Sequence, residues 1–259
     1  MAVEKASKLN ILELALCLKR KLGFLLEEKN MKEIVVRRGI TEILPILNYL
    51  DDKKAFICGG YARYCLSPHK TPVEAIDVDI YCEDEETFQK IKLDLSQSGV
   101  EVRFENNMAI TYKQPIEGIF SYCPVLQLIK PIKEGKVVSI GDVNTVLENF
   151  DFTVIRCAII KKDGKYIGIA DDDFEEDEKN KFLRIKNIHC PISSTLRFMK
   201  YARKGYFTRP MQIVSLFVDW DNRGDDYKAK IVDTLKEIQG GKELTQDEID
   251  NLEALMRID

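Results

Sequence analysis

The chain has 259 residues, of which 45% are hydrophobic and 32% charged, with 39 Lys+Arg against 43 Asp+Glu and a formal net charge of −4. A chain of this size and balance is globular, with one large domain or two small ones, and needs no disulfide or structural metal to fold. The mild acidity excludes a broadly basic nucleic-acid coat while leaving room for a local basic groove.

In chain order, residues 1–54 read as a helical segment. Ile11, Leu14, Leu18, Leu22 and Leu25 recur at helical spacing. A second helix is predicted over Thr41–Leu50, with Thr41 as N-cap and Pro45 in its early turns. Residues 55–170 change character. The apolar run Ala55–Cys58 stops at Gly59-Gly60, and a short helix Tyr61–Leu66 is predicted to follow. Ile76-Asp77-Val78-Asp79-Ile80 alternates with the period of a strand. Asp84–Gln97 carries Phe88, Ile91 and Leu95 on one helical face. Strands are predicted at Val100–Phe104, Met108–Tyr112, Val125–Ile129 and Phe152–Ile160, with a short helix at Asp142–Asn149. Residues 171–259 turn helical again. Asp171–Glu178 reads as a solvated acidic loop and Pro191–Gly205 as a helix. Thr245-Gln246-Asp247-Glu248 is a capping box that opens a last helix. The fold class expected is α+β, a mixed β-sheet flanked by helices, with boundaries at 54/55 and 170/171.

Composition narrows the chemistry. Apolar runs such as Ile11–Leu18 fall short of the roughly 20 residues of a membrane span. Met1-Ala-Val-Glu-Lys lacks the apolar core of a signal peptide. Cys17, Cys58, Cys65, Cys82, Cys123, Cys157 and Cys190 form no C-x-x-C pair and mostly sit in apolar runs, as reduced core cysteines of a cytoplasmic protein do. Only His69 and His189 are present, which argues against a zinc finger.

D-x-D occurs at Asp77/Asp79, Asp171/Asp173 and Asp219/Asp221, so setting must separate the three. The second lies in the acidic run, and the third reads as a turn before Asn222-Arg223-Gly224. Asp77 and Asp79 alternate with apolar residues on a strand, which aims both carboxylates at one spot. Like charges so held need a cation or a proton, and Mg²⁺ suits paired oxygen ligands. Two such ions about 3.5–4 Å apart support phosphoryl-type transfer. Gly59-Gly60 at a helix start would expose N–H groups to a phosphate, and Arg63 in the first turn is placed to reach it. The competing readings are a solvated strand face and an ordinary turn.

Phe56-Ile57-Cys58-Gly59-Gly60-Tyr61-Ala62-Arg63 followed by Ile76–Ile80 resembles the head domain of the polymerase-β-like nucleotidyltransferases. The bacterial poly(A) polymerase and CCA-adding group is the most similar branch, with its G-G-x-x-R-D and D-x-D strands. Asn149-Phe150-Asp151-Phe152-Thr153-Val154-Ile155 is similar to that group's R-R-D-F-T-I-N motif, and Leu196–Tyr206 to its neck helix. The resemblance implies an enzyme that moves a nucleoside monophosphate from an NTP, ATP or CTP, to an acceptor hydroxyl such as an RNA 3′ end, with two Mg²⁺ ions. It implies Asp77 and Asp79 as catalytic metal ligands, and Asp151 near the nucleotide sugar or as a third carboxylate. Gly59, Gly60, Arg63, Arg197 and Lys200 are the expected nucleotide contacts, with Arg197, Lys200, Arg203 and Lys204 forming a basic stripe. Departures from the pattern are Tyr64 for the motif aspartate, Asn149 and Phe150 for the two arginines, and Gln127 on the strand expected beside Asp77 and Asp79. They motivate two alternatives, a nucleotidyltransferase-like binding or regulatory protein, and a transferase that modifies a protein or small molecule. After the neck, about 50 residues are too few for the tail that grips tRNA in CCA-adding enzymes, so a minimal enzyme with another acceptor is expected.

Overall fold

Eight strands form one mixed sheet in the order β1-β10-β9-β2-β3-β6-β5-β4. The computed structural model describes residues 31–70, 77–113, 125–134 and 137–225, with positions 228, 229, 232, 233 and 236. The calls on Ile11–Leu25, Cys17, Ile76, Cys123 and the capping box at Thr245 lie outside the described residues. The strands are β1 (Met31–Ile34), β2 (Ala55–Cys58), β3 (Val78–Cys82), β4 (Val102–Glu105), β5 (Ala109–Tyr112), β6 (Leu126–Ile129), β9 (Cys157–Lys162) and β10 (Lys165–Asp171). A small hairpin, β7 (Lys133–Glu134) with β8 (Val137–Val138), stands apart. The helices are α1 (Ile40–Leu50), α2 (Gly59–Leu66), α3 (Glu85–Gln97), α4 (Val143–Leu147), α5 (Phe174–Asn180), α6 (Pro191–Ala202) and α7 (Pro210–Asp221). The architecture is α+β, as expected.

Every pairing in the large sheet is antiparallel except β3 with β6. Val78, Ile80 and Cys82 point into one core with Ile43, Ala62, Leu66, Phe88, Ile91 and Leu95 from α1, α2 and α3. Tyr81, two residues on from Asp79 and on the same face, joins the opposite core with Phe150, Phe152, Tyr201 and Leu216. Burial of Phe88, Ile91 and Leu95 along α3 stabilises its docking by about 1.5–3 kcal/mol each. The Asp84 side chain caps that helix by accepting from the Thr87 N–H at 2.8 Å.

Several expectations need correction. Within 1–54, residues 31–34 form an edge strand, because Met31–Ile34 pairs in register with Gly168–Asp171. Thr41 is not the cap of α1. Gly39 is, at φ 70°, where a Cβ would meet Cys65 Sγ at 2.8 Å. The predicted strand Phe152–Ile160 begins as a 3₁₀ turn at Thr153–Ile155 and becomes β9 only at Cys157. The acidic run is not a solvated loop: Asp171 ends β10, and α5 buries Phe174, Asp177 and Glu178. Those carboxylates have partners, with Arg184 and Thr153 donating to Asp177 and Arg63 and Tyr206 to Glu178. Asp219 and Asp221 lie in the last turn of α7, where Arg223 binds Asp219 one turn on. The hairpin β7–β8, strand β10 and helix α7 were not foreseen.

Candidate active site

The site is assembled by strand register. Cys58, the last residue of β2, pairs with Asp79, so the Gly59-Gly60 turn that follows sits beside the two aspartates. Gly59 has φ +71°, a left-handed conformation that favours glycine. A Cβ on Gly59 would lie 3.4 Å from Asp79 Oδ2 and 3.5 Å from Phe150, and one on Gly60 would lie 4.0 Å from Asp77 Oδ1. Both carboxylates therefore face the turn, and the missing side chains leave the space between open. Helix α2 starts at that turn with no side-chain cap. Asp79 is buried and Asp77 half-buried at the strand's entry.

The donor set suits Mg²⁺, which binds through one or two carboxylates plus water and substrate phosphates. No group of three His, Cys, Asp or Glu side chains that could hold a metal ion occurs among the described residues. Gln127 on β6 pairs with Asp79 across the parallel step and, half-buried, shares its face of the sheet. Asp151 is buried. Its Oδ2 accepts from Ser194 Oγ at 2.8 Å and from Arg197 at 2.5 Å.

Asp151 lines a small pocket that opens to solvent. Tyr81 and Phe150 form its apolar wall, and His189, Ser193 and Arg197 stand around the carboxylate. Asp151 Oδ1 and Ser193 Oγ are buried there with no hydrogen-bond partner among the described residues. Phe150 approaches the Gly59 position and packs against Tyr81 at 5.7 Å, so one aromatic pair joins the aspartate mouth to the cavity.

The structure thus brings Gly59, Gly60, Asp77 and Asp79 together, and sets Asp151 with Arg197 in the adjoining cavity. Arg63, expected to contact a phosphate, is buried in the core. Its guanidinium is 1% exposed and donates to Glu178 at 3.0 Å and to the Tyr206 hydroxyl at 3.2 Å. Tyr206 in turn donates to Glu178 at 2.7 Å, and burial together with that carboxylate pushes its hydroxyl pKa up. Lys200 is exposed on α6. Burial holds the Cys58 thiol well above its usual range, which makes it an inert neighbour of the turn. The five described cysteines are buried and free of disulfides. Tyr201 and Tyr206 are buried and offer no stacking surface, while Phe207 is exposed.

Sequence reasoning missed Ser194 as a site residue. Ser194 lies three residues before Arg197 on α6, so the two face Asp151 together; that spacing was the available signal. Lys204 is half-buried, and burial, then Arg63 and Lys200, lower its pKa against the opposing pull of Asp77.

A family model matches residues 26–181, more than half of the chain. The chain belongs to the Gabija anti-defense 2 family. In this Gabija anti-defense 2 protein the matched span includes the Gly-Gly turn, both aspartates and Asp151, and it ends before α6. A search of curated proteins finds no match. Solved structures to which this Gabija anti-defense 2 protein is similar include a tRNA nucleotidyltransferase complexed with a primer tRNA and an incoming ATP analog. That likeness has 21% identity and a TM-score of 0.45, over 79% of this chain and 64% of that one. An apo tRNA-processing enzyme shows 20% identity and a TM-score of 0.47, over 80% and 50%. The Thermotoga maritima CCA-adding enzyme complexed with tRNA_CCA shows 13% identity and a TM-score of 0.47, over 72% and 44%. The chain spans less than two thirds of the length of each. No helix among the described residues is long and apolar enough to cross a membrane.

Proposed function

We propose that the protein is an Mg²⁺-dependent nucleotidyltransferase that moves a nucleoside monophosphate from an NTP, ATP or CTP, to an acceptor hydroxyl, with an RNA 3′ end as the first acceptor to test. The reading rests on one observation, that Asp77 and Asp79 face an uncapped, side-chain-free Gly59-Gly60 turn at a helix start. Asp77 and Asp79 are the residues that would hold the metal. Bound there, Mg²⁺ supplies charge neutralisation on the transferring phosphate and lowers the pKa of the attacking hydroxyl. The remaining chemistry is positioning, so no histidine is required. The glycines admit phosphate to within reach of backbone N–H groups. Asp151, held by Ser194 and Arg197, is the residue that the resemblance sets near the nucleotide sugar. The family is named for opposition to Gabija defence, and nucleotidyl transfer offers such a protein a chemistry, through modification of an acceptor or consumption of NTP.

The test incubates labelled NTPs and Mg²⁺ with RNA, with protein and with the enzyme alone. Label is expected on RNA, lost on chelation and lost in Asp77→Asn/Asp79→Asn, whose circular dichroism should remain that of the parent. Appreciable transfer by that double variant refutes the proposal, and label on protein or a small molecule moves the acceptor.

A second reading is a nucleotide-binding or partner-binding protein without turnover, favoured by Gln127 beside Asp79 and by the withdrawal of Arg63 into the core. Calorimetry showing NTP–Mg²⁺ binding without transfer to any acceptor would select it.

A further inference from the structure

We infer that Phe182 and Phe207, on two short extended segments that follow α5 and α6, form a stacking platform for single-stranded nucleic acid. The inference goes beyond the proposed transfer activity, because binding there needs neither NTP nor metal. The sequence carries one pattern twice, Phe182-Leu183-Arg184 and Phe207-Thr208-Arg209. In an extended segment residues i and i+2 share a face, so each pattern sets a phenyl ring and a guanidinium on one side. The structure lays the two segments side by side. Phe182 and Phe207 form a parallel bridge, in which the Phe207 N–H donates to Lys181 O at 2.9 Å and the Leu183 N–H to Phe207 O at 2.7 Å. The Thr208 hydroxyl adds a third tie by donating to Leu183 O at 2.6 Å. Leu183, Ile185 and Tyr206 are buried on the inner side. The two rings meet on the other side, with centres 5.4 Å apart and planes tilted by 55°. Arg209 Cζ lies 5.7 Å and Arg184 Cζ 5.9 Å from the centre of the Phe182 ring.

A single exposed ring is ordinary on a protein surface. Here Phe207 is 56% exposed, its ring neighbour Phe182 is half-buried, and Arg209 is exposed beside them. Arg184 is already neutralised, by Asp177 at 3.0 Å and Asp173 at 3.3 Å, so it buttresses the Phe182 ring. Arg209 makes no ion pair within 4 Å among the described residues, and neither does Lys181, which begins the first segment. Two uncompensated cations beside a fixed aromatic pair fit a partner that is anionic and planar at once. An acidic protein surface or a lipid headgroup supplies the charge without the ring faces. Single-stranded RNA or DNA supplies both, phosphates for Arg209 and Lys181 and a base face for Phe207. A duplex keeps its bases stacked on one another and offers the charge alone.

The test is fluorescence anisotropy with labelled oligo(A) and oligo(U), a duplex of the two, and an abasic strand of equal charge, in EDTA and without NTP. Phe207→Ala should weaken both single strands by roughly tenfold, the loss of one stacked base, and leave the abasic strand unchanged. Phe207→Trp restores a ring and should bind as the wild-type protein does. Arg209→Gln should weaken every strand and reduce the salt slope by about one. Circular dichroism should show all three variants folded. Single strands bound equally well by Phe207→Ala and the wild-type protein would overturn the inference. An equal loss on the abasic strand, or a preference for the duplex, also overturns it, because charge rather than stacking would be the cause. Wild-type protein that binds no single strand overturns it as well and leaves this face to a protein partner. That failure is separate from a failure of nucleotidyl transfer, since no NTP or metal enters the binding assay.

Discussion

The pair formed by Arg63 and Glu178 decides whether the arginine of the glycine motif is a phosphate ligand or a structural cation. Glu178 is fully buried and Arg63 is 1% exposed, at an N–O separation of 3.0 Å, with the Tyr206 hydroxyl bonded to both. Arg63→Met would leave a carboxylate in the core with its cation gone. Loss of one member of a buried pair costs about 3–5 kcal/mol, a large share of a total stability of about 5–15 kcal/mol. In urea, that should lower the unfolding midpoint by about 1 M or more. Glu178→Leu alone should cost a similar amount for the mirrored reason. The double variant Arg63→Met/Glu178→Leu should recover most of the loss, because an apolar pair of similar volume is often as stable as the ion pair. Circular dichroism across a urea series on the four proteins gives the coupling energy. A loss under about 1 kcal/mol in Arg63→Met, or additive single losses, would refute the structural assignment. The phosphate-ligand alternative foresees the opposite pattern, near-parental stability with lost NTP affinity.

Three further outcomes are expected. Gly59→Ala should cost roughly 1–2 kcal/mol for its left-handed backbone and should also lose NTP–metal affinity, because its methyl sits 3.4 Å from Asp79 Oδ2. Gly99→Ala is the matched control, with the same φ of 71° and open space around it; equal affinity loss in both would contradict the site. Gly168→Ala places a Cβ 2.4 Å from Leu66 Cδ2 and should lower thermal stability by about 1–3 kcal/mol without altering metal affinity; an unchanged melting temperature would contradict the close approach of β10 to α2. Gln127→Glu adds a carboxylate next to Asp79 and should tighten Mn²⁺ binding roughly tenfold by electron paramagnetic resonance, about 1.4 kcal/mol; unaltered affinity would show that Gln127 does not face the metal position.

The parts of the fold that the sequence disclosed were those governed by local pattern. The run Ala55–Cys58, the alternation around Asp79 and the amphipathic face of α3 each carry their period in a few residues, and each forms close to where it was expected. The convergence of Gly59 and Asp79 was also legible as a motif, although its cause, the pairing of Cys58 with Asp79, is a matter of register. What escaped was set by long-range partners. An acidic run looks solvated until Arg63 arrives from 115 residues upstream to meet Glu178. The same contact buries the Arg63 guanidinium, a pairing that no window around either residue displays. Met31–Ile34 is a strand only because Gly168–Asp171 lies beside it. Ser194 gained meaning through the carboxylate it binds, Asp151.

The single parallel step in the sheet has a consequence for folding. Asp79 and Gln127 are neighbours in space, but the chain must travel through α3, β4 and β5 before β6 can lie beside β3. That closure is slow compared with hairpin formation, because its loop entropy is lost before any contact rewards it. The hairpins β4–β5 and β9–β10 can form early, but the mouth that holds Asp79 and Gln127 cannot close until β6 docks. Substitutions that weaken the β3–β6 pairing should therefore delay the appearance of metal binding during refolding more than they delay the first gain of secondary structure. The mouth between β3 and β6 would be among the last features of this molecule to become native and among the first to be lost.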